Sequence, residues 1–82
     1  MLIESQIREF VARYLLYSDN GFEYSDDDSF LEEGILDSIG VLELVAFIEE
    51  NFTVSVEDPE ITPDNFGSVN KLAAYIRGKC AT

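Results

Sequence analysis

Histidine is absent from this 82-residue chain. With it go the usual general base near neutral pH and the usual zinc ligand. The single cysteine, Cys80, rules out an internal disulfide and any cysteine-built metal centre. Lying third from the end, it does not fit a prenylation motif, and its solitude suits a reducing compartment. The first residues lack the basic and apolar regions of a signal peptide, and no apolar run could span a bilayer, so a cytoplasmic location is expected. Basic residues are scarce: 5 Lys and Arg against 17 Asp and Glu, a formal charge of −12. Such a chain repels nucleic acid and anionic lipid, and its natural partners are basic protein surfaces.

What is present is distributed unevenly. All five basic residues, Arg8, Arg13, Lys71, Arg77 and Lys79, lie towards the ends, and between Tyr14 and Asn70 there are 15 acids and no base. A one-sign stretch of that length destabilises a fold through self-repulsion. Either it is disordered or the field has a use, and its regular apolar spacing speaks against disorder. The length predicts one domain over residues 1–82, monomeric, with a small core and little room for a deep pocket of its own. That favours a module working with partners over a self-sufficient enzyme.

The apolar spacing predicts an all-α fold of three main helices and one short one. Ile3, Ile7, Phe10, Val11, Tyr14 and Leu15 recur at steps of three and four, giving a first helix over 3–17 whose exposed side carries the pairs Glu4–Arg8 and Glu9–Arg13. Ser18-Asp19-Asn20-Gly21 ends it as a turn. Residues 22–37 lack periodicity and read as a long loop anchored in the core by Phe30, Leu31, Ile35 and Leu36. A loop this long in a small domain is usually functional. A second helix opens at Ser38 with Asp37 as its cap, and carries Ile39, Leu42, Val45, Ile48 and Phe52 at helical spacing. Thr53 to Val56 alternates but is too short for a strand. Asp58-Pro59-Glu60 starts a short helix that Pro63 ends. The last helix runs over 69–77, capped by Ser68 and followed by Gly78, with residues 79–82 frayed.

Several chemistries can be tested against these residues. Glu32, Glu33 and Glu43 could form a carboxylate pair, but nothing marks one as buried or shifted. Asp26-Asp27-Asp28 invites a calcium loop, yet with Gly34 or Gly21 in the invariant glycine slot the ligand positions hold Ser29, Leu31 and Glu33, or Leu16, Ser18 and Asn20. Both registers fail, so no metal site is expected. Ser38 is more informative. A serine behind a capping Asp has its hydroxyl at the electropositive mouth of a helix, where a phosphodiester would be welcome. With no base to activate it, Ser38 is better read as a substrate of another enzyme than as a nucleophile. Taken alone, Asp37-Ser38 is equally a plain helix start, and a helical interaction or cation-binding module with unmodified Ser38 stays open.

The wider segment Phe30-Leu31-Glu32-Glu33-Gly34-Ile35-Leu36-Asp37-Ser38-Ile39 resembles the attachment segment of acyl carrier proteins, with its Asp-Ser-Leu core. The resemblance continues through Leu42-Glu43-Leu44-Val45 and Glu49-Glu50-Asn51-Phe52, and resumes from Ser68-Val69 to Leu72 and Tyr75-Ile76. It implies a four-helix bundle carrying 4′-phosphopantetheine on Ser38, whose thiol holds cargo as a thioester. Asp37 would flank the site, and Ile39, Leu42, Glu43, Ala46, Glu49 and Glu50 would face partners. The implied partners are a phosphopantetheinyl transferase, an acyl- or aminoacyl-loading ligase and downstream acyl-processing enzymes with basic patches. Ile39 replaces the commoner Leu, Gly40 stands where the family usually has a side chain, and Ala46 where a larger apolar residue docks. The spacing Gly34-Ile35-Leu36-Asp37-Ser38 looks more like D-alanyl carriers and stand-alone carriers loaded by adenylating ligases than like fatty-acid carriers.

Overall fold

The computed structural model describes residues 2–80. Their elements follow in the order α1 (Ile3–Phe10), a π-helical continuation (Val11–Leu15), α2 (Ser38–Phe52), a 3₁₀ turn (Asp58–Glu60), α3 (Pro63–Phe66) and α4 (Val69–Cys80). This is the all-helical architecture expected: three main helices, a short one, and a long loop between the first and second. Among the described residues there is no strand, and no helix is long and apolar enough to cross a membrane.

The last helix organises the core. Val69, Leu72, Ala73 and Ile76 are fully enclosed, and α4 packs against α1, α2 and α3 in turn. Ser68 caps it as the sequence predicts, its hydroxyl accepting from the Lys71 N–H at 3.2 Å. The helix does not stop at Arg77. It passes through Gly78, whose missing side chain touches nothing, and carries Lys79 and Cys80 with it. Lys79 therefore does not fray: its ammonium reaches Glu60 at 2.8 Å and ties the end of α4 to the 3₁₀ turn. Of the four residues expected to fray, Ala81 and Thr82 lie outside the described residues.

The first helix departs from its regular period. Backbone bonds run from the Leu16 N–H to the Val11 carbonyl and from the Ser18 N–H to the Ala12 carbonyl, both 2.8 Å. This wider winding rotates the apolar stripe. Ile7, Val11 and Ala12 are buried, whereas Tyr14, expected in the core, stands 57% exposed. The helix ends at Leu15, two residues short of the expected Tyr17, and Tyr17 itself takes a left-handed backbone (φ +52°). For a bulky residue that conformation costs about 1–2 kcal/mol.

The loop is stitched down at several points. The Phe30 N–H donates to the Gly67 carbonyl at 2.8 Å, and the Leu36 N–H returns to the Phe30 carbonyl at 3.0 Å. Between them a tight turn closes on Gly34 (φ +69°) and sends Ile35 and Leu36 inward. Leu31, expected as a fourth anchor, is 55% exposed, and Phe30 takes the core position. The three aspartates have protein partners. Asp26 pairs with Arg8, Asp27 accepts from the Asn70 amide at 2.7 Å, and Asp28 accepts from the Ser25 N–H at 2.9 Å.

Two further expectations are corrected. The Asp58 turn is capped by Glu57, which exchanges bonds with Glu60, and the short α-helix begins at Pro63 instead of ending before it. Proline suits both places because a helix's first turn has no acceptor for its missing N–H. Glu4 pairs not with Arg8, four residues along, but with Arg77 of α4, through two bonds of 2.6 and 2.8 Å. The Arg77 guanidinium bonded to Glu4 lowers the carboxyl's pKa from 4.5 to about 2. A depressed carboxyl stabilises the fold above its ordinary pKa and ceases to as pH falls through the lowered one. Arg77→Gln should therefore reduce the urea midpoint at pH 7, with the difference from the parent chain shrinking between about pH 4.5 and 2. Urea titrations at pH 7, 4 and 2 measure this, and a difference constant with pH would show the pair to be without effect.

Candidate functional site

Residues 35–41 build the site. Ile35 and Leu36 plunge into the core, so the chain must reverse to begin α2, and Asp37 makes the reversal in an extended conformation (φ −104°, ψ −174°). Its Oδ1 accepts from the Gly40 N–H at 2.8 Å, and its carbonyl accepts from the Val41 N–H at 3.0 Å. The helix therefore starts where the sequence placed it. Ser38 occupies the first helical position, exposed, and its hydroxyl makes no hydrogen bond among the described residues. The N–H groups of Ser38 and Ile39 have no acceptor within the helix, so they and the helix dipole leave a partial positive charge at this end.

The stripe Ile39–Leu42–Val45–Ile48–Phe52 does not act as one face. Leu44 and Ile48 are the buried side chains of α2, Val41 and Val45 are half-buried, and Ile39 and Leu42 stand 67% and 59% exposed. Ile39, Leu42, Glu43, Ala46, Glu49 and Glu50 are all exposed, and their steps along α2 place them on one side with Ser38. Glu49 also has an internal duty, accepting from the Val56 N–H at 3.1 Å. Gly40 is not a missing surface contact. It is buried, and a Cβ there would lie 3.3 Å from Leu36 and 3.5 Å from the Asp37 carboxylate that caps the helix.

Two grooves flank the start of α2. One, of about 330 Å³, is mostly apolar and runs from Ser38 and Leu42 to Leu31, Ile61 and Phe66. The other, of about 380 Å³, lies towards α1 and is lined by Tyr14, Tyr17, Asp37, Ile39 and Glu43. Sequence reasoning missed Leu31, Tyr14 and Tyr17 as surface residues. The sequence offered no signal for the first, since Ile35 and Leu36, equally adjacent, both turn inward. Nothing in the pattern betrayed the π-helical turn that turns Tyr14 outward.

An exposed, unbonded hydroxyl at a helix's positive end, beside an open cleft, fits a covalently attached phosphodiester arm. The chain matches the phosphopantetheine attachment site family over residues 5–76, and it belongs to that family. It is thus a carrier domain for phosphopantetheine, a bearer of cargo that other enzymes act upon. Among curated proteins it is similar to the D-alanyl carrier proteins of Streptococcus pyogenes serotype M5 (strain Manfredo) and serotype M49 (strain NZ131). Each is 33% identical over 72 residues, covering 88% of this chain and 87% of the relative.

Proposed function

We propose that Ser38 is the attachment residue and that the arm carries a small aminoacyl cargo, with D-alanine the first to test. The observation that carries the first part is the exposed Ser38 hydroxyl at the first position of α2, held there by the Asp37 cap. The Ser38 and Ile39 N–H groups would hold the phosphate, and Asp37 would fix their direction. The bound group supplies a thiol on which cargo is held as a thioester. The cargo reading is supported by the spacing Gly34-Ile35-Leu36-Asp37-Ser38 and by similarity to D-alanyl carriers. A second reading, an acyl chain, is favoured by the apolar groove beside Ser38. In either case an adenylating ligase loads the thiol, and a reducing, cytoplasmic setting keeps it free.

Intact-mass measurement tests this directly. Coenzyme A and a broad-specificity phosphopantetheinyl transferase should add one arm, mapped to the peptide holding Ser38. Ligase loading with D-alanine against medium-chain fatty acids then separates the cargoes. No mass gain with several competent transferases would leave an unmodified acidic interaction module.

The face formed by Ile39, Leu42, Glu43, Ala46, Glu49 and Glu50 would receive those enzymes. Glu43 is the clean probe, because Glu49 also holds Val56. Glu43→Lys should lower transferase kcat/KM several-fold at low salt and leave the thermal midpoint in place. The gap should narrow as salt shortens the screening length from about 30 Å at 0.01 M to about 10 Å at 0.1 M. A gap indifferent to salt would count against electrostatic docking.

A further inference from the structure

We propose that the groove between the end of α1 and the start of α2 receives the α-ammonium of this carrier's own aminoacyl cargo, folded back beside the residue that bears it. This deepens, and rests on, the reading of Ser38 as the attachment residue of an aminoacyl carrier. Two grooves leave the Ser38 end of α2, and their linings differ in kind. The apolar one, past Leu31, Leu42, Ile61 and Phe66, has no charged side chain in its lining. An ammonium entering it would lose its water and meet no counter-charge, which disfavours the charged form. The other is lined by the carboxylates of Asp37 and Glu43 and by Tyr14 and Tyr17, with no Lys or Arg among its lining. The charge of an aminoacyl cargo therefore selects the α1 side.

The groups in that groove are not used up by the fold. Among the described residues Glu43 enters no ion pair, and Asp37 accepts through Oδ1 from the Gly40 N–H. Arg13, the nearest base in sequence, is paired with Glu9 at 3.5 Å. Tyr17 is 82% exposed on a left-handed backbone, so packing does not explain a tyrosine there. An ammonium is attracted to the face of a tyrosine ring while its N–H groups donate to the carboxylates. Ile39 adds an apolar edge for the single methyl of an alanyl group. Position supplies the rest. Asp37 and Ile39 are the chain neighbours of Ser38, so the groove opens beside the attachment point. A tether there gives the cargo an effective concentration in the millimolar range, enough to fill a site too weak to hold a free amine.

The test uses the full chain, modified to completion by the transferase with an amide-linked D-alanyl analogue of coenzyme A, whose bond survives titration. NMR then follows the alanyl amine. Only the protonated amine should dock, so its titration midpoint should lie about 0.5 pH above that of free D-alanyl-pantetheine amide, a roughly threefold gain in proton affinity that corresponds to about two-thirds of the protonated form docked. Tyr17→Leu and Glu43→Gln should each remove most of that rise, and Tyr17→Phe, which keeps an aromatic face, should retain it. Asp64→Asn removes one charge on α3 outside both grooves and should retain it too. The alanyl methyl should show a contact with the Tyr17 ring that N-acetylation of the cargo abolishes. A rise that Asp64→Asn diminishes as much as Glu43→Gln would come from the overall charge, and the proposal fails. It also fails if Tyr17→Leu leaves the rise intact, or if the acetylated cargo keeps the ring contact. Refusal of the arm by the parent chain overturns the reading of Ser38 and this inference with it. Uptake of the arm with an undisplaced titration overturns the inference alone.

Discussion

Ser38→Ala is expected to abolish attachment of the phosphopantetheine arm while leaving the domain as stable as before. The chemical half follows from the loss of the only atom the arm could be joined to at that position. Ser29 also lies on the apolar groove, its oxygen accepting from the Glu32 N–H at 3.2 Å, so peptide mapping of the modified parent distinguishes the two serines. The structural half is the stricter claim. Among the described residues the Ser38 hydroxyl bonds to nothing, the cap is supplied by Asp37, and alanine is a good helix former. The stability change should therefore stay within about 0.5 kcal/mol. Intact mass and a urea titration on the same preparation read both halves. A variant that still gains one arm would place attachment elsewhere, and one that unfolds would mean Ser38 is structural.

Phe30→Ala should have the largest effect on the fold. Phe30 is fully enclosed although it belongs to the long loop, and its backbone holds both Gly67 and Leu36. Truncating a buried phenylalanine costs about 3–5 kcal/mol. A domain of this length has roughly 4–12 kcal/mol in total, taking about 0.05–0.15 kcal/mol per residue. The variant should lose a quarter or more of its urea midpoint, and at the low end of that stability range it is largely unfolded in buffer. Equilibrium denaturation followed by circular dichroism measures the shift. A loss under about 1 kcal/mol would show that the loop is laid over a core complete without it. The outcome bears on function, because this anchor and Leu36 decide where α2 begins.

Much of this was legible in the residues, for identifiable reasons. The α2 start could be read because Asp37-Ser38 is a local signal, satisfied by a bond spanning three residues. Ser68 and the apolar face of α4 were legible on the same ground. Errors arose where a distant partner decided. Glu4 prefers Arg77, 73 positions away, to the Arg8 that spacing offered. Gly78 does not end α4, because Lys79 has Glu60 to hold beyond it. The exposed Ile39 and Leu42 could not be distinguished from core residues by periodicity, since an exposed apolar stripe and a buried one read alike.

Four of the five basic side chains are engaged in ion pairs within the molecule, Arg8 with Asp26, Arg13 with Glu9, Arg77 with Glu4 and Lys79 with Glu60. Neighbouring carriers consequently have little to offer one another's acidic sides, and crowding them together sharpens their mutual avoidance. A dense population would stay dispersed, each copy open to the enzymes that act on its cargo.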